Sequence, residues 1–209
     1  EQILGHDLFL YLRERGTVLG ARQELLAAPQ LDDLECAFAL TEGFLRAAPS
    51  RAIPVLAVFD NEEVGSETKQ GAASSFLRDT LRRLTAALGL SEQAYLRLLA
   101  GSFMVSADNA HAQHPNHPEF ADGQNTPYLN GGITIKFNAN QRYTTDAISA
   151  AAFRLLCQET GVAVQVYSNR SDLPGGSTLG SISNTRVAVP TVDIGLPQLA
   201  MHSSFETAG

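Results

Sequence analysis

Apolar positions along the chain fall into two rhythms, and their alternation sets the expected elements. Mostly apolar runs at 53–59, 103–106, 132–137, 162–167 and 186–194 predict strands too apolar to be half-exposed. An alternating stretch from Ile3 to Tyr11 predicts a further strand over 3–12. Between these, apolar residues at helical spacing predict a helix over 31–48 (Leu34, Ala37, Phe38, Leu40, Phe44, Leu45), closed by Pro49. Helices are also predicted over 71–88 and 146–160, with a short one behind a Ser91 cap. Residues 13–30, 113–130 and 168–184 read as irregular. Strands alternating with helices argue the α/β class, a three-layer αβα sandwich with a largely parallel central sheet. No repeat, low-complexity tract or linker divides the chain, so it reads as one domain.

Composition narrows the classes of function. The chain has 209 residues, 44% hydrophobic and 18% charged, which is ordinary for a soluble globular domain. A net charge of -7 with no basic block argues against a nucleic-acid partner. No apolar run approaches the ~18 residues of a membrane span, and no basic-then-apolar leader pattern stands out. The expected location is cytoplasmic. Cys36 and Cys157 lie in helical stretches without CxxC spacing and read as reduced core thiols. The sequence begins at Glu1, and residues 203–209 read as the first turn of a helix that does not develop, so both ends read as cut.

The candidate chemistry centres on Asp60-Asn61-Glu62-Glu63-Val64-Gly65-Ser66, directly after the 53–59 run. Three carboxylates in four residues repel one another, and burial would raise their pKa values. They are either a solvated acidic turn or the lining of a cation site. Asp108 and His111 follow a second predicted strand, and His202 follows the last one. In open α/β sheets such positions gather at the carboxyl ends of the strands. Asp32 and Asp33 stand at a helix start, where either could simply cap, yet Asp32 can reach the same rim. Carboxylates plus imidazole without thiolate suit zinc, cobalt or manganese. Lys136 interrupts an apolar strand, as an edge lysine would, and Tyr143 reads equally as a core aromatic. His114 and His117, each followed by Pro, read as an exposed loop. The Pro174–Gly180 turn reads as a pocket wall or an anion cradle.

These stretches carry a family resemblance. Phe59–Ser66 with Gln70-Gly71-Ala72, Ser106–Ala112, Lys136–Tyr143, Gly176–Gly180 and Pro197–Ser203 resemble, in order, the motifs of the aspartyl aminopeptidases. The resemblance implies a co-catalytic metallo-aminopeptidase that releases N-terminal Asp or Glu from peptides. It implies two divalent ions, zinc in the first place, with cobalt or manganese as alternatives. Asp32 would bridge them, Glu63 and His202 would hold one, and Asp108 the other. Glu62 would be the general base toward a metal-activated water, and His111, Lys136 and Tyr143 would contact substrate. A homo-oligomer is implied for the full-length form, without membrane or nucleic acid.

The resemblance also implies what is missing. Family members are about twice this length, and residues 1–12 fall at the end of a dimerisation domain or its return strand. Residues 13–209 then form the C-terminal part of the catalytic domain. The histidine that completes the second metal's ligands lies upstream in the family; His6 matches no family ligand. Asp33 stands where the family commonly has Asn, and residues 13–26 match it poorly. This chain alone is therefore expected to be inactive. The alternatives are a non-catalytic fragment or pseudo-enzyme holding one metal or a partner chain, and a related peptidase of neutral specificity.

Overall fold

The computed structural model describes residues 2–48 and 50–209. A hairpin of β1 (Thr17–Leu19) and β2 (Leu25–Ala28) leads into α1 (Leu31–Arg46). After a long connection come α2 (Phe76–Ala87), α3 (Glu92–Ala100), β3 (Met104–Ala107) and β4 (Ala110–His111). Then follow β5 (Ile133–Phe137), α4 (Ala147–Thr160), β6 (Val164–Ser168) and α5 (Leu179–Asn184). The chain closes with β7 (Thr191–Gly195), β8 (Pro197–Leu199) and β9 (Glu206–Ala208).

The central sheet has the order β3-β7-β5-β6, with β3 parallel to β7 and β5 parallel to β6, while β5 and β7 run antiparallel. Side chains alternate across a sheet, and the two faces of this one differ in kind. Val105, Ala107, Ile133, Ile135, Phe137, Val164, Val192 and Ile194 face one way and pack with Cys36 and Leu40 of α1 and Ala150 and Phe153 of α4. Ser106, Thr134, Lys136 and Asp193 therefore face the other way. A Cβ added at Gly180 of α5 would meet Asp193 Oδ1 at 2.2 Å and Ser106 Oγ at 2.5 Å, which puts α5 on that polar face. Helices on both faces give the α/β layering that the alternation of elements predicts.

A second sheet, β1-β2-β9-β8-β4, stands beside the first. The parallel pair β3/β7 runs on into the parallel pair β4/β8, held across the step by Asp108 N–H to Ile194 O at 3.1 Å and Ala110 N–H to Leu196 O at 2.8 Å. At that step Gly195 lies so close to the opposite backbone that a Cβ would sit 2.0 Å from Asp108 O.

Several expectations do not survive. Residues 3–12 form no strand and are bare, with Leu4, Phe9 and Tyr11 at least three-quarters exposed. Residues 53–59 form none either, and Val55 and Val58 are 51% and 60% exposed. A strand exists only through its neighbours, and among the described residues none pairs with either stretch. Residues 13–30, read as irregular, hold the β1/β2 hairpin, and the 168–184 turn holds α5. The last residues form β9 rather than a helical turn. The helix read from residue 71 starts at Phe76. Ser91 does cap α3, accepting from Ala94 N–H at 3.2 Å. The helix-closing role read for Pro49 lies outside the described residues. Both cysteines are free and buried.

Candidate metal centre and its cavity

Asp32 and Asp33 sit at the mouth of α1 with backbone angles outside the helical region (φ -81°, ψ 113° and φ -116°, ψ 31°), joined by a cis peptide. Asp32 does not cap the helix: the cap position is Gln30, which makes no side-chain cap bond. The Asp32 side chain, only 4% exposed, turns toward His202, whose Nε2 lies 3.2 Å from its Oδ2. The same Nε2 lies 3.1 Å from Glu63 Oε2. Glu62 and Glu63 occupy a single 3-10 turn, Glu62–Val64, entered through Asn61 in the left-handed region (φ 59°) and closed by Gly65 N–H to Glu62 O at 2.8 Å.

Two groups of donor atoms result. Asp32, Glu63 and His202 offer atoms within 4.8 Å of one another, and so do Asp32, Asp33 and Asp108. Asp32 belongs to both. Its Oδ1 and that of Asp33 are buried with no hydrogen-bond partner, a costly state for a carboxylate oxygen. Burial above all, with Asp108, Glu63 and Asp33 adding repulsion, pushes the Asp32 carboxyl up to about 8. Asp33 is pushed up to about 7, again mainly by burial. A cluster so short of positive charge fits a divalent cation, which would supply partners to the orphaned oxygens and reverse these shifts. The first group mixes carboxylate and imidazole, as zinc favours; the second is all oxygen.

Lys136 is not an edge residue. Its strand β5 lies between β7 and β6, and its side chain is 2% exposed. Nζ donates to Asp108 Oδ2 at 3.0 Å and to Asn109 O at 2.7 Å, 5.4 Å from the centre of the Tyr143 ring. Tyr143 is buried, edge-on to Tyr167 at 6.2 Å, and burial raises both phenols, Tyr167 to about 12. His111, at the end of β4, is reached by solvent yet ringed by protein. That surrounding mass lowers its pKa, with Lys136 and His202 adding to the effect. Glu62 is half-buried, and its carboxyl is raised by burial, then by Asp108 and Glu63, against the pull of His202 and Lys136.

All eight candidate residues (Asp32, Glu62, Glu63, Asp108, His111, Lys136, Tyr143 and His202) line one cavity of about 590 Å³. The Gly176–Thr178 turn forms part of its wall. His114 and His117 reach its rim from an exposed loop, their rings 5.3 Å apart, and join neither donor group. A wider depression of about 750 Å³ lies against the start of α2, where Lys69, Arg83 and Arg186 mix with Glu67 and Asp79. Neither donor group reaches it, so the chemistry belongs to the smaller cavity.

Sequence reasoning missed the groups behind the ligands. Asn109 accepts from Cys36 Sγ at 2.8 Å and donates to Leu31 O, Glu35 Oε2 and Gln198 Oε1, tying α1 to β8. Buried Asp193 accepts from the N–H and Oγ of Thr144 and from Thr178 Oγ at 2.8 Å, which pins the Tyr143 loop and the 176–178 turn to the sheet. Buried Glu206 holds the backbone at Asp32 and His202. A carboxylate inside an apolar strand was the available signal for Asp193.

Residues 1–209 match the profile of the Aminopeptidase I zinc metalloprotease family, M18. The chain belongs to this family. It is 46% identical over 209 residues to a "Probable M18 family aminopeptidase 2" of Clostridium novyi, covering 100% of this chain and 48% of that protein. A protein of the same description from Mycobacterium leprae is 44% identical, covering 99% and 49%. Among solved structures, an M18 aminopeptidase of Thermotoga maritima superposes with a TM-score of 0.84 at 29% identity, over 93% of this chain and 44% of that one. The S. cerevisiae mApe1 dodecamer superposes at 0.82 and 28%, over 95% and 45%. The chain spans about half the length of the curated relatives it matches.

Proposed function

We propose that this chain carries the metal centre of an aminopeptidase that releases N-terminal aspartate or glutamate from peptides. The observation that carries the reading is Asp32, shared by two donor groups on the wall of the cavity that also holds Glu62 and Lys136. Glu63 and His202 would hold one divalent ion with Asp32, and Asp108 would hold the other with Asp32. Bound there, such ions would lower the pKa of water and polarise the scissile carbonyl. Glu62, half-buried with its carboxyl raised by burial, accepts the proton of the attacking water and passes it to the leaving amine. An ammonium has three N–H donors, and Lys136 uses two on Asp108 and Asn109. The third can meet the acidic side chain of the substrate in a desolvated setting. His111, its pKa lowered by burial, and Tyr143, its phenol raised by burial, stand beside it as hydrogen-bonding groups.

The test is cleavage by the complete protein, loaded with zinc or cobalt, of peptides differing only in their first residue. Aspartyl and glutamyl peptides should be preferred over alanyl ones by about 30-fold or more, the value of a desolvated charge pair. Equal rates would rule out acidic specificity. Absence of cleavage would rule out the enzyme reading. A second reading has its own observation: the Asp32, Asp33, Asp108 group contains no imidazole among the described residues. On that reading the chain holds one ion and catalyses nothing, and a metal count of two per chain would exclude it. Among the described residues no helix is long and apolar enough to cross a membrane. Assembly into a homo-oligomer is proposed by likeness to the dodecameric S. cerevisiae structure.

A further inference from the structure

Asp32 and His202 lie at opposite ends of the chain, yet a site that uses both needs their side chains fixed against each other. The element between them is β9, where Glu206 is only 2% exposed. Its Oε2 accepts the backbone N–H of Asp32 at 2.9 Å, and its Oε1 accepts that of His202 at 2.7 Å. The register explains the reach. Glu206 pairs with Ala28 on β2, just before α1, and lies one short turn beyond His202. The two backbones it holds differ in conformation, Asp32 being extended and His202 left-handed. Asp32 is outside helical geometry although it opens a helix, and His202 has a φ of 68°. A left-handed non-glycine residue persists where its surroundings over-determine it.

We infer that Glu206 is a positioning residue of the metal centre, a buried carboxylate clamp that holds the main chains of Asp32 and His202 in ligand-presenting geometry. The inference rests on the metal-centre reading above. A carboxylate suits this task because it presents two separate acceptor oxygens, one for each N–H, and no donor. Charge-assisted bonds to both N–H groups offset the burial of the charge. In Glu206→Gln one acceptor becomes an NH₂ facing an N–H, so one ligand-bearing segment must move while the packing volume is unchanged.

The test is cobalt and zinc binding by the intact protein, wild type against Glu206→Gln and Glu206→Asp, with the core variant Val192→Ala as a stability control. Glu206→Gln should bind about 10- to 100-fold more weakly, the usual effect of losing a group that orients metal ligands. Its cobalt absorption spectrum should change, while Val192→Ala, destabilised away from the site, keeps the wild-type spectrum and affinity. Glu206→Asp, which keeps the charge but reaches one N–H less well, should fall between and carries the test if the Gln variant does not fold. Wild-type affinity and spectrum in the folded Glu206 variants would overturn the clamp alone. A wild-type protein that takes up no cobalt or zinc would overturn the metal-centre reading and the clamp with it.

Discussion

Glu62 and Glu63 are neighbours in the chain with different surroundings. Glu63 is 56% exposed and turned to His202, while Glu62 is half-buried and its carboxyl is raised. Adjacent residues on one tight turn can thus divide the work of ligand and base. Glu62→Gln is expected to lower kcat by roughly 10²–10⁴ with metal content unchanged; Glu63→Gln is expected to lower metal content. Lys136→Ala should reduce the ratio of aspartyl to alanyl cleavage by at least about 30-fold. The ratio is the readout because Asp108 also loses its partner. The eight candidate residues, which share one cavity wall, were picked out in the sequence by short motifs behind apolar runs, at a helix start, or, for Lys136, within a strand. Glu206 and Asp193 were not. Glu206 reaches back to Asp32, 174 residues away, and Asp193 to Thr144, 49 away, and although a carboxylate in an apolar strand marked Asp193, nothing local names such partners.

Elements were legible where pattern and pairing coincide. β3, β5 and β6 formed, with bounds moved by a few residues, because each has a neighbour to complete its hydrogen bonds. Stretches 3–12 and 53–59 carry the same apolar signal without a neighbour, and they form no strand. The second sheet was hidden because its strands are two to four residues long, too short for a periodicity to register. The step between the sheets depends on Gly195. Gly195→Ala would drive a Cβ to 2.0 Å from Asp108 O. It is expected to cost about 1–3 kcal/mol and to displace Asp108, checked by urea unfolding together with zinc content.

At the scale of the molecule, two surfaces set its behaviour. Leu4, Phe9, Leu34, Phe38 and Leu45 are all more than 60% exposed, and exposed apolar side chains favour association. The 209-residue chain is expected to self-associate with rising concentration in analytical ultracentrifugation, and a concentration-independent monomer would contradict this. The acidic centre sets the second behaviour. Without metal, the folded state holds protons on Asp32 and Asp33 up to about 8 and about 7, whereas the unfolded chain releases them near the ordinary value of 3.8. Folded pKa values raised above unfolded ones mean that this stability is fully present below about pH 4 and is lost as pH rises toward 8. The metal-free melting temperature should therefore fall through that window, and added zinc should restore it at the upper end. The most direct test of the account is zinc titration of the metal-free protein, wild type against Asp32→Asn. Because both donor groups share this carboxylate, the substitution is expected to weaken every site at once, while Glu63→Gln and Asp108→Asn each weaken one. An Asp32→Asn protein that keeps any zinc site at wild-type affinity would contradict it.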